Sequence, residues 1–113
     1  MALRDDELLR GTLDLLVLSA RSSGPRHGHG IARWIHERGH EVLRVEEGTL
    51  HPALHGLERA GSLRARGGRS ENDRRARFDS LTRRGGERLT EEAEGWRRLS
   101  GAIALVLESG ARS

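Results

Sequence analysis

Arginine side chains are concentrated in one short stretch of this 113-residue chain. Between positions 64 and 84 there are eight arginines and three acidic residues, although the net charge of the whole chain is only +3. An arginine guanidinium presents a planar fork of donors that matches two oxygens of one phosphate group. The stretch therefore predicts a surface that binds a polyanion. The alternative interpretation is a solvated charged hairpin without a partner.

Six of these eight arginines fall in a predicted β-hairpin. Two strand-like runs, residues 62–66 and 75–81, flank a glycine-centred turn at residues 67–74. Arginines close to the tip of such a hairpin are placed to contact the backbone or the minor groove of a nucleic acid. The residues expected to make these contacts are Arg69, Arg74, Arg75 and Arg77.

A short amphipathic helix is predicted directly before the hairpin, over residues 48–59. Its leucines recur at helical spacing and would face a core, so its opposite, mostly polar face remains open. We expect four residues of this helix to lie in or beside a DNA major groove: Thr49, His51, Pro52 and His55. Thr49 has a compatible alternative role as the helix N-cap, and Pro52 requires that the helix begin close to Thr49.

A long final helix is predicted over residues 83–108, with Thr82 as its N-cap and apolar residues at spacings of three and four. An amphipathic helix of this kind usually pairs with a second copy of itself, which predicts a homodimer. The alternative is packing against the first helix of the same chain. The interface stripe is formed by Leu89, Ala93, Trp96, Leu99, Ile103, Val106 and Leu107.

Two further helices are expected earlier in the chain, ending near Ser22 and Arg38, and residues 42–45 are a candidate third strand. The expected fold class is mainly α with a small β-hairpin wing. We expect residues 1–82 to form a winged helix-turn-helix that binds double-stranded DNA. Residues 83–113 would then form a C-terminal dimerisation helix.

Composition excludes several classes of protein. The chain has no cysteine, so it can form neither a disulfide nor a thiolate metal site. No apolar run approaches the roughly 18–20 residues that cross a bilayer, and the N-terminus does not resemble a secretion signal. We therefore expect a cytoplasmic location and no membrane partner. No arrangement of nucleophile, base and acid emerges, which argues against an enzyme.

The six histidines include pairs at chelating spacing, such as His51 with His55. A zinc site needs three or four ligands, and no cysteine or acidic cluster accompanies these pairs. We expect no metal and no cofactor. Two other functions remain open: a metal-responsive regulator that uses the histidines, and a winged-helix module that binds protein.

Four groups of residues together resemble the PadR family of bacterial transcriptional regulators. They are LRGTLD at 9–14, HGHGI at 27–31, GTLHPAL at 48–54 followed by Leu57 and Glu58, and Leu81-Thr82 with Gly85. The resemblance is to the short subfamily with one C-terminal helix. It implies a dimeric repressor that binds a pseudo-palindromic operator and is often released by a small aromatic or drug-like effector. It also implies that an aromatic residue at the position of Trp96 can stack on a flat ligand.

The chain differs from the family pattern at several positions, among them Arg83, where proline is common, and the surroundings of Gly56, where a basic residue is usual. The pattern has tyrosine where His29 and His51 stand, and usually an aromatic residue where Asp79 stands. Because histidine can donate to a phosphate or stack on a base, we expect His29 and His51 to contact DNA with a dependence on pH. Asp79 lies among basic residues of the second predicted strand, and we expect its charge to weaken phosphate binding.

Overall fold

The computed structural model describes residues 12–22, 28–69 and 75–112, with the backbone path alone at residues 28–29, 66–69, 75–78 and 111–112. Within these ranges there are four helices and one two-stranded antiparallel sheet. The predicted fold class, mainly helical with a small hairpin, is confirmed. The elements in chain order are α1 (Leu13–Ser22), α2 (Gly28–Arg38), α3 (Glu47–Arg59), β1 (Leu63–Arg69), β2 (Arg75–Leu81) and α4 (Arg83–Arg112).

The core lies between α1, α2 and α3 and is closed by the first residue of β1. Each of the three helices contributes one apolar stripe, as the helical spacing of their apolar residues dictates. Burial of these side chains is the main favourable contribution to folding. The buried apolar residues are Leu13, Val17, Leu18, Ala20, Ile31, Ile35, Val45, Leu50, Leu54, Leu57 and Leu63.

α2 ends in a turn with an unusual backbone. His40 and Glu41 both have positive φ angles, of 53° and 64°, a region that non-glycine residues rarely occupy. The Glu41 N–H donates to the carbonyl of His36 at 2.9 Å, and Nδ1 of His36 donates to the carbonyl of Leu43 at 3.0 Å. These bonds direct the chain from the end of α2 back along the core towards α3.

The candidate third strand was wrong. Residues 42–46 are extended, but in the described part of the chain the sheet contains β1 and β2 alone. The turn at His40 and Glu41 sends this segment across the helical core, where Val45 is buried while Val42 stays 59% exposed. The apolar residues of this segment therefore reflect the packing of Val45 on the helices rather than pairing with a strand.

The hairpin is longer on its first side than the sequence predicted. β1 continues through Gly67 and Gly68 to Arg69, because these residues pair with Arg77, Ala76 and Arg75 in register. The preference of glycine for turns is what favours a turn at these positions in the sequence. In the structure they are part of the ladder.

Thr82 joins the hairpin to α4. Its Oγ1 accepts a hydrogen bond from the Gly85 N–H at 3.0 Å, which confirms the predicted N-cap. The same hydroxyl donates to the carbonyl of Gly61 at 2.6 Å, and the Thr82 N–H donates to the carbonyl of Ser62 at 3.1 Å. One residue thereby caps α4 and fixes it to the turn between α3 and β1.

α4 is also bound to α1 by charge. Arg88 donates from Nη2 to Asp14 at 3.0 Å and from Nε to Glu92 at 3.1 Å. Partial burial lowers the pKa of Arg88, but the hydrogen bonds and charges of Glu92 and Asp14 outweigh this effect and hold the pKa above its ordinary value. Arg88 therefore keeps its charge, and the link between α1 and α4 is an ion pair.

Gly85 provides a test of the joint between β1 and α4. A Cβ at this position would overlap the carbonyl oxygen of Ser62 and lie 2.9 Å from Cδ1 of Leu81. We expect Gly85→Ala to lower the free energy of unfolding by about 2 kcal/mol, the usual cost of overpacking. The measurement is urea unfolding followed by circular dichroism.

Gly86→Ala is the matched control for Gly85→Ala. A Cβ on Gly86 would meet only Cδ2 of Leu81, at 3.9 Å, which is ordinary van der Waals contact. Since alanine is the better helix former, this variant should be neutral or gain up to about 1 kcal/mol. Equal stabilities of the two variants would contradict the close approach at Gly85.

Candidate nucleic-acid interface

α3 has one buried face and one exposed face. Leu50, Leu54 and Leu57 are buried in the core. This anchors the helix along its whole length, so the direction of the opposite face is fixed by the fold. The exposed face contains the four α3 residues that the sequence predicted for the major groove: Thr49, His51, Pro52 and His55.

α3 begins earlier than the sequence indicated. Its N-cap is Glu46, with φ −83° and ψ 149° and no side-chain capping bond, and the Thr49 N–H donates to the Glu46 carbonyl at 3.0 Å. The alternative role of Thr49 as N-cap is therefore wrong. Pro52 consequently lies in the second turn of the helix. Because Gly48 and Pro52 are both exposed, water can reach the carbonyl of Gly48 that Pro52 cannot bond.

The hairpin carries the predicted arginines beside α3. Arg69 and Arg75 are paired across the two strands at the end of the ladder, and Arg77 is paired with Gly67. For these three residues the structure describes the backbone only, and Arg74 lies outside the described residues. His29 is in the first turn of α2, again with its backbone alone described. The DNA contacts of these five residues stay predictions.

Asp79 corrects an expectation about the charge of the hairpin. Its side chain was expected to weaken phosphate binding, but the residue is only 1% exposed, and its Oδ2 lies 3.6 Å from Nη2 of Arg21. On β2 it is two residues before Leu81 and opposite Ala65, next to α1. The carboxylate is therefore directed into the protein and forms an ion pair there, away from the surface of the hairpin.

Arg21 was not identified from the sequence. It is the last charged residue of α1 and only 2% exposed. A signal was available, because Arg21 follows Leu13 and Val17 at intervals of four and thus continues the buried stripe of α1. A charge on such a stripe indicates a buried partner, but the sequence did not identify Asp79 as that partner.

The apolar stripe of α4 is covered only in its first part. Leu89 packs against the core, whereas Trp96 is 47% exposed and Val106 is 70% exposed. Leu99, Ile103 and Leu107, which follow Trp96 on the same side of the helix, are exposed as well. The last four turns of α4 therefore present an apolar surface in this chain.

A groove of about 630 Å³ separates α1 from α4. Its walls are mostly apolar, which is typical of sites that bind flat organic molecules or another helix. Glu94 and Arg97 contribute charges on the α4 side. The apolar side chains that line it are Leu15, Leu16, Leu43, Leu89, Ala93 and Trp96.

The described residues contain no cluster of three or more histidine, aspartate or glutamate side chains able to hold a metal ion. His36, one member of the histidine pairs, bonds to the Leu43 carbonyl and has a structural role. Across residues 12–22, 28–69 and 75–112, no helix combines the length and the hydrophobicity needed to cross a membrane.

Three helices, a two-stranded hairpin and an exposed polar face on the third helix define a winged helix-turn-helix. The family described as "Transcriptional regulator PadR-like family" matches residues 15–91. The chain belongs to this family, whose members are DNA-binding transcription regulators. The resemblance stated from the sequence motifs is confirmed.

Solved structures agree with this assignment. A transcriptional regulator from Clostridium thermocellum is 26% identical, with a TM-score of 0.77 and coverage of 86% of this chain and 94% of the other. A PadR family regulator from Eggerthella lenta is 29% identical, with a TM-score of 0.75 and coverage of 90% and 87%. A protein from Streptococcus mutans is 26% identical, with a TM-score of 0.79 and coverage of 96% and 94%.

A match by amino-acid sequence gives the same result. An uncharacterized protein from Lysinibacillus sphaericus is 24% identical over 102 residues, which cover 90% of this chain and 94% of the relative. The chain is thus similar to these proteins over nearly their whole length.

Proposed function

We propose that this PadR-like regulator is a homodimeric repressor that binds a pseudo-palindromic operator near its own or a neighbouring gene. In this proposal residues 1–82 bind DNA and residues 83–113 form the dimerisation helix. The α3 helices of the two protomers enter the major groove at half-sites about one helical turn, roughly 34 Å, apart. A small aromatic or drug-like effector releases the repressor.

The observation that carries the proposal is the exposed polar face of α3, held on a helix whose other face is buried. The exposed side chains of Thr49, His51 and His55 can donate hydrogen bonds, and a Cβ at Gly48 would meet no heavy atom within 4 Å. The helix start thus leaves room for the close approach of another molecule. Withdrawal of Asp79 into the core also leaves the hairpin arginines without that opposing charge.

The exposed stripe on α4 supports the dimer. A monomeric domain rarely leaves so large a continuous apolar surface in contact with water. A second copy of α4, packed on the same stripe, would remove Leu99, Ile103 and Val106 from water. Binding of two half-sites by one dimer then explains why a symmetric operator is expected.

The groove between α1 and α4 supports the effector. Trp96 lies on its wall, about half exposed, and its indole offers a flat surface for stacking. A ligand bound here would touch the helix that carries the dimer interface. It would release DNA if it bound better to a dimer whose α3 helices are wrongly spaced for the operator.

Two sets of variants separate groove readout from phosphate contact. We expect Thr49→Ala to weaken operator binding about tenfold and to change binding to random DNA much less. The double variant Arg74→Ala, Arg75→Ala should weaken both DNAs alike and reduce the slope of log K against log salt by about 0.9 for each phosphate that is no longer neutralised. The measurement is fluorescence anisotropy over a range of salt concentrations, with an operator selected from random duplexes.

Thr49→Ala carries its own stability control. Because Glu46 is the N-cap, the substitution should change the free energy of unfolding by less than about 0.5 kcal/mol. Equal losses on operator and random DNA would contradict groove readout by α3. Failure of the wild-type protein to bind any duplex would contradict the DNA-binding proposal and favour a protein-binding module.

The dimer is tested by two arginine substitutions on opposite sides of α4. Ile103 belongs to the stripe with Trp96, whereas Leu105, also exposed, is two residues on and faces the other way. In sedimentation velocity at micromolar concentration, Ile103→Arg should be a single protomer, while the wild type and Leu105→Arg should be dimers. A wild type that sediments as one protomer would overturn the dimer.

The effector site is tested by quenching of Trp96. The chain has two tryptophans, so a Trp34→Phe background leaves emission from Trp96 alone. We expect saturable quenching of this variant by 9-aminoacridine or 2-naphthoic acid, planar aromatics of opposite charge, and dissociation of operator DNA by whichever of the two binds. Linear, non-saturating quenching by both compounds would argue against a site for flat ligands in the groove.

A further inference from the structure

An ion pair inside the DNA-binding unit joins α1 to the hairpin. Nη2 of Arg21 lies 3.6 Å from Oδ2 of Asp79, and the exposed fractions of the two side chains are 0% and 2%. Arg21 is in the last turn of α1, and Asp79 is in β2. The pair therefore connects two elements that are far apart in the sequence.

The position of the pair places it between the two proposed functional surfaces. β2 runs from the arginine-bearing end of the hairpin to Asp79 and then to Thr82, which caps α4. α1 carries Ser19 on the wall of the groove and Asp14 in the ion pair with Arg88 of α4. α1 thus contacts α4 through one face. Through its last turn, α1 contacts the end of the hairpin that lies nearest the core.

Burial of an ion pair has a large desolvation cost. The loss of hydration offsets much of the attraction, and apolar residues of similar volume are often equally stabilising or better. A charge pair restricts the relative orientation of the two elements that carry it. Its groups must lie in a particular arrangement to attract each other, whereas apolar contact is non-directional. An ion pair at the core-side end of a two-stranded hairpin is suited to fixing the angle between the hairpin and the helix that carries the other charge.

We propose that Arg21 and Asp79 are positioning residues that fix the orientation of the hairpin relative to α1, and with it the affinity for DNA. This inference rests on the proposed function, in which hairpin arginines bind phosphates. Neither residue touches DNA in this arrangement. Their effect is transmitted through β2, whose far end carries Arg75 and Arg77.

The test compares the wild type with an apolar replacement of the whole pair, Arg21→Met with Asp79→Leu. Each single substitution leaves one buried charge and should lower Tm by roughly 10–20 °C. The double variant removes both charges and should melt at or above the wild-type temperature. The double variant therefore provides a folded protein that lacks the ion pair but keeps the buried volume filled.

The orientation of the hairpin is measured in the absence of DNA, as a distance between two spin labels. Because the chain lacks cysteine, Ala76→Cys on β2 and Ser22→Cys at the exposed end of α1 provide two unique sites for spin labels. Labelled chains are diluted with unlabelled ones so that only distances within one chain are measured. We expect the double variant to give a distance distribution that is displaced from that of the wild type or wider.

DNA affinity is the second quantity measured. The double variant should bind the selected operator about tenfold more weakly than the wild type. A matched control for melting and distance is Arg33→Met with Glu37→Leu, which removes an exposed pair on α2 with an Nε–Oε1 separation of 3.0 Å. That control should leave the melting temperature and the distance distribution unchanged.

The outcomes separate this inference from the function on which it rests. Unchanged distances in the double variant would overturn the positioning role, whether or not the protein binds DNA. A changed distance with operator affinity within about twofold of the wild type would overturn the link from orientation to affinity. A wild type that binds no DNA would overturn the proposed function, while the distance measurement would still decide whether the pair orients the hairpin.

Discussion

The close contact between the start of α4 and the carbonyl of Ser62 is the constraint on which the rest of the structure depends. Gly85 lies so near this carbonyl that a side chain of any size would collide with it, and Thr82 bonds to the same turn while it caps α4. The 30-residue helix is therefore attached rigidly to the end of α3 and the start of β1. Any change in the direction of α4 must be transmitted to the elements that carry the exposed polar face.

α1 is the second element that holds the functional surfaces together. On one side Asp14 binds Arg88 of α4, and at its end Arg21 binds Asp79 of β2. The two ion pairs differ in environment, since the first is partly exposed and the second is inside the protein. A half-exposed pair adds modest stability, whereas a buried pair imposes geometry because its separation leaves a charge without compensation. α1 thus connects the groove, the helix that carries the apolar stripe and the wing.

Much of the architecture could be predicted because it depends on local patterns. The leucine spacing of α3 gave its buried face correctly, and the Thr82 hydroxyl at the start of α4 was identified from the preference of threonine for that position. Other features could not be read in this way. Glycines 67 and 68 were placed in a turn but pair in the ladder, and residues 42–45 had a strand-like pattern but pack on helices. In both cases the outcome depends on which other element lies alongside.

The amino-acid sequence by itself determined the order of the helices and the hairpin, the polar face of α3, the apolar stripe of α4 and the family to which the chain belongs. These are properties of one segment at a time, fixed by the period of a helix or strand and by short motifs. Only the tertiary structure decided that Asp79 faces inward to Arg21, that α3 starts at Glu47, and that Gly85 is needed for contact with Ser62. Each of these depends on the distance between two elements, and that distance is set by the packing of the whole core.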